Sequence, residues 1–161
     1  MTKPFSLNTL TVLLAGVFAS GCAVSQIETE TASGAPLARQ IAQSAHCGLS
    51  APGHLTVTRE EDLDKLEGLP GRNLSLAPLR AIDFAEEKVV LVAAGQKPTG
   101  GYSVTLMGSE IENEELRLTV STKSPGPGDM VVQVLTTPCA AIAVTASGWD
   151  DIRVIQAENN R

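Results

Sequence analysis

KVVLVAAGQKPTGGYSVTL, residues Lys88 to Leu106, is the stretch on which the fold of this chain turns. Val89 to Ala94 is a run of β-branched and small apolar residues, the composition of a buried strand. Gly95 breaks it, and Gln96 to Gly101 is a polar loop rich in Pro and Gly. A second strand enters at Tyr102, with Tyr102, Val104 and Leu106 on one face and Ser103 and Thr105 on the other. Pro98 fixes φ, and Gly100 and Gly101 permit positive φ, so the chemistry of the loop specifies a turn. The expected unit is a β-hairpin with a stiff, presented loop. Two readings of that loop stand side by side. In one it is an adhesive edge for a partner: Pro98 gives rigidity, Thr99 hydrogen-bonds, Gly100 and Gly101 allow close backbone approach, and Tyr102 anchors. In the other the glycines only satisfy the turn and Tyr102 only caps the core.

Downstream of this stretch, Leu116, Leu118 and Val120 alternate with Arg117, Thr119 and Ser121, the pattern of a half-buried strand. Ser124 to Asp129, SPGPGD, is a turn cluster. Met130 to Leu135 is expected to be a strand, Pro138 interrupts, and Ala140 to Thr145 is apolar and strand-like. Ile152 and Val154 mark a last short strand. Upstream, His54 to Val57 is a brief strand with Leu55 and Val57 inward. Thr58 and Glu61 have capping-box spacing, acids crowd the next turn, and Gly68 follows, so Arg59 to Glu67 is expected to be a helix. Leu37 to Ala45 is expected to form a short helix ended by His46-Cys47-Gly48, and Leu69 to Leu79 a loop. The fold class implied is mainly β (α+β): a small antiparallel β-sandwich or barrel-like sheet with one short packed helix.

Aromatic residues make up only 3% of the 161, so the core must be built from Val, Leu, Ile and Ala. The net charge is −6 and no basic stripe occurs, which argues against a nucleic-acid partner. At the N-terminus Lys3 precedes an apolar run, Leu7 to Ala19, that is shorter than the roughly 20 residues of a membrane span. Small residues follow, then Cys22: the pattern of an export signal. Ala19-Ser20-Gly21-Cys22 resembles the lipobox of bacterial lipoproteins, with Ala19 where Leu is more usual. The resemblance implies an acylated (palmitate-bearing) Cys22 after a signal peptide over 1–21; the Ser, Thr, Glu, Gly and Ala residues that follow have no period and read as a flexible tether over 22–38, leaving a domain over 39–161. Ala23 in place of Asp after the cysteine implies the outer membrane, facing the periplasm. The alternative is an ordinary signal peptide with an incidental cysteine.

Three cysteines leave one odd. If Cys22 carries lipid, Cys47 and Cys139 remain, and an oxidising compartment would let them pair. The alternative is two buried free thiols.

No catalytic constellation is visible. His46 and His54 lack a metal-ligand spacing, and no nucleophile elbow occurs. GQKPTGG lacks the phosphate-loop spacing and precedes a strand rather than a helix. Trp149-Asp150-Asp151 offers too few oxygens for calcium, and Glu110 to Glu115 is expected to be a solvated hairpin tip. We therefore expect no catalytic residue, metal, cofactor or small-molecule substrate.

The stretch IDFAEEKVVLVAAGQKPTGGYSVTL, Ile82 to Leu106, resembles the signature of the PrcB C-terminal domain family. The matching features are Asp83-Phe84, the Val89 to Ala94 strand, Gly95, and Pro98 to Tyr102. QVLTTPCAAIAV, Gln133 to Val144, resembles the family's later strand, turn and strand. The likeness runs from about 55 to 156. It implies a non-catalytic envelope domain that binds or stabilises a partner protein, by analogy a surface or periplasmic protease complex. A second likeness is to chagasin-type inhibitors of cysteine proteases. Pro98 to Tyr102, the Gly126/Gly128 turn and Thr137-Pro138-Cys139 follow the order of their three contact loops, without the Arg and aromatic that flank the proline there.

Overall fold

The computed structural model describes residues 36–157. The signal segment, Cys22 and nearly all of the tether lie outside them. Seven strands and two short helices follow in the order β1 (Ala38–Ser44), β2 (Pro52–Val57), α1 (Asp62–Glu67), α2 (Ala77–Arg80), β3 (Glu87–Ala94), β4 (Ser103–Glu112), β5 (Glu115–Lys123), β6 (Cys139–Thr145) and β7 (Asp151–Gln156).

The apolar run of β3 is continuous because both of its faces are covered. Val89, Leu91 and Ala93 point to one side and pack with Leu63 and Leu66 of α1, Leu79 of α2 and Leu74, Leu76 and Ile82 beside it. Val90 and Val92 point to the other side and meet Val104 of β4 and Leu116, Leu118 and Val120 of β5. β6 divides the same way: Cys139, Ala141 and Ala143 face the helices, and Ala140, Ile142 and Val144 face the second sheet. The result is three layers: helices and loops, a four-stranded sheet, and a three-stranded sheet. The four-stranded sheet has the order β1-β6-β3-β2, antiparallel throughout. The three-stranded sheet has the order β4-β5-β7. β4 and β5 form an antiparallel hairpin and β7 runs parallel to β5, so this sheet is mixed and no barrel closes. The mainly β reading is thereby met, with two helices in place of one.

The expected hairpin between β3 and β4 does not form. Both edges of β3 are taken, by β2 and β6, so no ladder is left for β4. The loop 95–102 is a crossover from one sheet to the other. Four further expectations are corrected. Ala38–Ser44 is a strand, because β6 offers it an antiparallel ladder that overrides the weak helical pattern. The first helix starts at Asp62 rather than Arg59, and Thr58 does not cap it. Within the segment expected to be loop, Ala77 opens α2 with Pro78 in its first turn, and Leu74, Leu76 and Leu79 are buried. Met130 to Leu135 forms no strand, because no sheet edge is laid against it.

Cys47 and Cys139 are joined by a disulfide with Cα atoms 6.0 Å apart. Both are buried, at the helix-facing side of β6.

On the outer edge of β1, Gln43 Nε2 donates to the Val104 carbonyl at 2.6 Å, and the Leu106 amide donates to Gln40 Oε1 at 2.9 Å. Residues three apart on a regular strand face opposite sides. The β1–β6 register shifts between Gln40 and Ala42, and that bulge brings both glutamines to the same side. They supply the hydrogen bonds that the open edge of β4 lacks, and so tie the two sheets together along this seam.

Candidate functional site

The loop Gly95 to Tyr102 is held at its start by sheet connections. Gly95 has φ of +73°, the Gln96 amide donates to the Ser50 carbonyl at 2.9 Å, and Lys97 exchanges backbone hydrogen bonds with Thr136 at 2.8 and 3.0 Å. Beyond Lys97 the loop runs against residues 130–136. The Thr136 hydroxyl donates to the Thr99 carbonyl at 2.8 Å, and the Gly100 amide donates to the Val132 carbonyl at 2.9 Å. Thr136 is the buried polar residue of this join, 3% exposed, with its hydroxyl and backbone all spent.

The five residues expected to contact a partner are therefore placed unequally. Pro98 and Gly101 are exposed, Thr99 and Tyr102 are half-buried, and Gly100 is buried. The Thr99 hydroxyl is turned locally and donates to the Gly100 carbonyl at 3.0 Å. Tyr102 lies under the Lys97 ammonium, 5.8 Å from its ring centre. Close approach at the glycines is real, but it is made within the chain. A Cβ on Gly100 would stand 2.9 Å from Val132 Cγ2, and one on Gly101 would stand 2.9 Å from Val131 Cγ1 and 3.2 Å from Pro125 Cβ. Gly101 also has φ of +85°, which favours glycine.

The surface feature that sequence reasoning misses is the segment packed on this loop. A strand over Met130 to Leu135 would alternate between core and solvent. Instead Met130 is fully exposed, Val132 is 71% exposed, Leu135 61% and Val134 46%. The signal that could find this is the flanking pair of breakers, SPGPGD before and Thr137-Pro138 after, which isolates the segment from a sheet ladder. The loop 96–101 and the segment 130–136 together make one irregular ribbon with apolar side chains outward.

The remaining candidates are dispersed. His54 is exposed on β2, and His46 is half-buried beside Thr137, whose hydroxyl accepts the amides of Cys47 and Gly48 at 2.9 and 3.0 Å. Pro138 and Cys139 are buried, so the third loop of the chagasin likeness is not offered to a partner. Glu110 to Glu115 does straddle a hairpin tip. Its acids are not all free, since Glu112 and Glu115 pair with Arg117, and Glu115 also meets Arg153 at 2.9 Å. Trp149 is half-buried, donates its indole N–H to the Thr145 carbonyl at 2.8 Å, and lies under the Lys88 ammonium at 4.6 Å. Among the described residues no three His, Cys, Asp or Glu side chains gather as a metal site, and no helix is long and apolar enough to cross a membrane. A cleft of about 380 Å³ lies at the seam opposite the glutamines, lined among others by Gly53 and His54 of β2, Lys97, Thr122, and Gln156 of β7.

No curated protein and no solved structure matches this chain. A family model does, over a span narrower than the likeness read from the sequence but containing β3 from Lys88 on, the loop, the hairpin, the apolar segment and β6. Residues 88–145 match the family described as PrcB C-terminal, and the resemblance read from the Ile82 to Leu106 signature stands on that match.

Proposed function

We propose that this protein is an exported, lipid-anchored envelope protein whose β-rich domain binds and stabilises a partner protein, with a surface or periplasmic protease complex as the class to which the partner belongs. Cys22 carries the lipid, the anchor sits in the outer membrane, and the domain faces the periplasm. The domain acts by contact and not by catalysis. The observation that carries this reading is the family match over 88–145, which spans both the Pro98 to Tyr102 loop and the exposed apolar segment docked on it. A buried disulfide fits a chain that folds in an oxidising compartment.

Two measurements test it. The first is labelling with a radioactive or clickable palmitate analogue: wild type incorporates label, and Cys22→Ser does not. The second is co-purification of the full chain from a detergent extract of its own cells, comparing wild type with Pro98→Ala/Thr99→Ala. Both substitutions are on side chains that make no long-range hydrogen bond, so circular dichroism is expected to be unchanged. A proteolytic envelope complex enriched by wild type and depleted by the variant supports the reading. Equal recovery by both, or none above a bead control, removes the loop from it.

A further inference from the structure

The geometry points to Met130 to Leu135 as a docking strand, which takes an uncharged, extended peptide segment of a partner protein by β-strand addition. This rests on the reading that the domain binds a protein, and it adds the surface and the mode of binding.

Three observations meet at this segment. The first is composition. MVVQVL has no charge, no Pro and no Gly, and its three valines favour an extended backbone. Proline and aspartate stand at its borders, at Pro125, Pro127, Asp129 and Pro138, where natural sequences put residues that restrain unintended pairing. The second is exposure of Met130, Val132, Val134 and Leu135, side chains that a pairing strand would cover. The third is the backbone. None of the N–H groups from Met130 through Leu135 donates to a backbone carbonyl of the described residues. One edge of the segment is already spoken for, since the Val132 carbonyl accepts from Gly100 and Thr136 pairs with Lys97. The segment is thus fixed along one side: Val132 and Thr136 face the loop, as does Val134 between them, and the unspent N–H groups of Val131, Gln133 and Leu135 make the open row.

Those donors decide the kind of occupant. Hydrocarbon would cover the valines but strand the N–H groups without acceptors, which is unfavourable in lipid. A flat apolar protein surface has the same fault. A peptide backbone brings carbonyl acceptors at the strand repeat and aliphatic side chains to the exposed positions, so it satisfies both demands. A second copy of this chain would bring like net charges of −6 together. A partner's strand has no such handicap. Within the loop, Gly100 and Gly101 are then support rather than contact, since they let the segment lie close enough to be held in place, and Pro98 and Thr99 keep the contact role proposed above.

The test uses the full chain carrying Cys22→Ser, which dispenses with detergent, and a capped peptide of alternating Val and Thr flanked by lysines. Amide hydrogen exchange is followed across 130–135 with and without millimolar peptide. The expected result is fast exchange in the free chain and slowing of about tenfold or more with peptide. The same peptide N-methylated at every internal residue, so that neither edge can pair, with unchanged charge and side chains, is expected to give no slowing. Gln133→Pro removes an open-edge donor that the folded chain does not spend, and is expected to abolish the peptide effect while leaving the circular dichroism spectrum intact. If that variant unfolds, the N-methylated peptide still decides. The proposal is overturned by equal effects of the two peptides, or by no slowing at all. It is likewise overturned by a concentration-dependent dimer lost in Gln133→Pro, or by flotation with phosphatidylethanolamine/phosphatidylglycerol vesicles that depends on Met130 and Val132. Failure here leaves co-purification through the Pro98/Thr99 loop intact, and loss of that co-purification leaves the peptide result standing, so the two readings separate.

Discussion

Gly100 lies directly against Val132: its amide donates to the Val132 carbonyl at 2.9 Å, and a methyl group in place of its hydrogen would stand 2.9 Å from Val132 Cγ2. Val is β-branched and stiff at χ1, so its methyl cannot swing away freely. Gly100→Ala is expected to destabilise the domain by about 1–3 kcal/mol, the usual range for overpacking. Val132→Ala removes the clashing methyl at a mostly exposed site and is expected to cost little alone. The double variant should recover most of the loss, and urea denaturation of the four proteins would show the non-additivity. Additive losses would mean that Gly100 does not feel Val132.

The Cys47–Cys139 bond spans a sequence separation of 92 residues. In the chain-entropy model, closing a loop of that size stabilises by about 4–5 kcal/mol, and measured values are often lower. The helix-facing core that surrounds this bond is entirely aliphatic apart from Phe84 at its margin, so few other contacts can compensate. Reduction, or Cys47→Ala with Cys139→Ala, is expected to lower stability by about 2–5 kcal/mol. The check is denaturant unfolding with and without reductant. An unchanged midpoint would show that the sheet and helix layers hold without the bridge.

The strands with a clean pattern are legible in the sequence alone: β3, β5, β6 and β7 each show in side-chain alternation or in a continuous apolar run. Pairing is less legible. The Pro98 to Gly101 turn reads as a hairpin because a tight Pro/Gly turn between two β segments usually makes one. Nothing local to Lys88–Leu106 reveals that β2 and β6 occupy both edges of β3. β1 reads as a helix for a related reason. ARQIAQS has no strong period, and its strand state depends on β6, about a hundred residues away in sequence. Met130 to Leu135 has the composition of a strand but no neighbour to ladder with. Cysteine parity leads to the disulfide only if Cys22 is engaged elsewhere; the bond itself is seen in the structure. The two glutamines of β1 carry no signal, because their role depends on a bulge and on the position of β4.

Those glutamines make a separate prediction. Gln43 donates to the Val104 carbonyl, and Gln40 accepts from the Leu106 amide, in a partly buried seam. Truncating either leaves a backbone group of β4 without its partner, at a cost of about 1–3 kcal/mol. Gln40→Ala/Gln43→Ala should also uncover the β4 edge, and open strand edges invite pairing between molecules. Lower unfolding midpoints together with concentration-dependent association in light scattering are expected. A stable monomer would mean that water replaces the glutamines at no cost.

Asp62 carries the acid-side dependence of the first helix. The hydrogen bond from Lys65, at 2.6 Å, is the largest influence on its carboxyl and lowers its pKa below the ordinary 3.8. A depressed folded-state pKa means that the unfolded chain binds the proton first, so this contribution is present above the unfolded value and is lost as pH falls through the folded one. Asp62→Asn should therefore flatten the fall in stability below about pH 4 and change little at neutral pH. Chemical denaturation across that range is the check. A variant that loses stability equally at both pH values would point to a helix effect of the side chain, not to its charge.

The β4–β5 hairpin turns on two residues, Asn113 and Glu114, both with positive φ, at 52° and 64°. This is the sign pattern of a type I′ turn, whose twist suits the strands and whose usual second residue is glycine. Asn tolerates this region; Glu does not, and a left-handed residue with a Cβ costs about 1–2 kcal/mol. Glu114→Gly removes that strain but gives the unfolded chain more freedom, which offsets part of the gain. The net is expected to be about 0.5–1 kcal/mol in favour of the variant. The backbone role survives, because it is the Glu114 carbonyl that accepts from the Asp150 amide at 2.7 Å. Removing one carboxylate from a tip that also holds Glu110, Glu112 and Glu115 works in the same direction. Thermal unfolding should rise by about 2–4 °C, and Glu114→Val, β-branched at the same position, should fall. If Glu114→Gly melts lower than wild type, the turn is not strained at this residue, and the acidic side chain stabilises the tip through a contact that its backbone geometry does not explain.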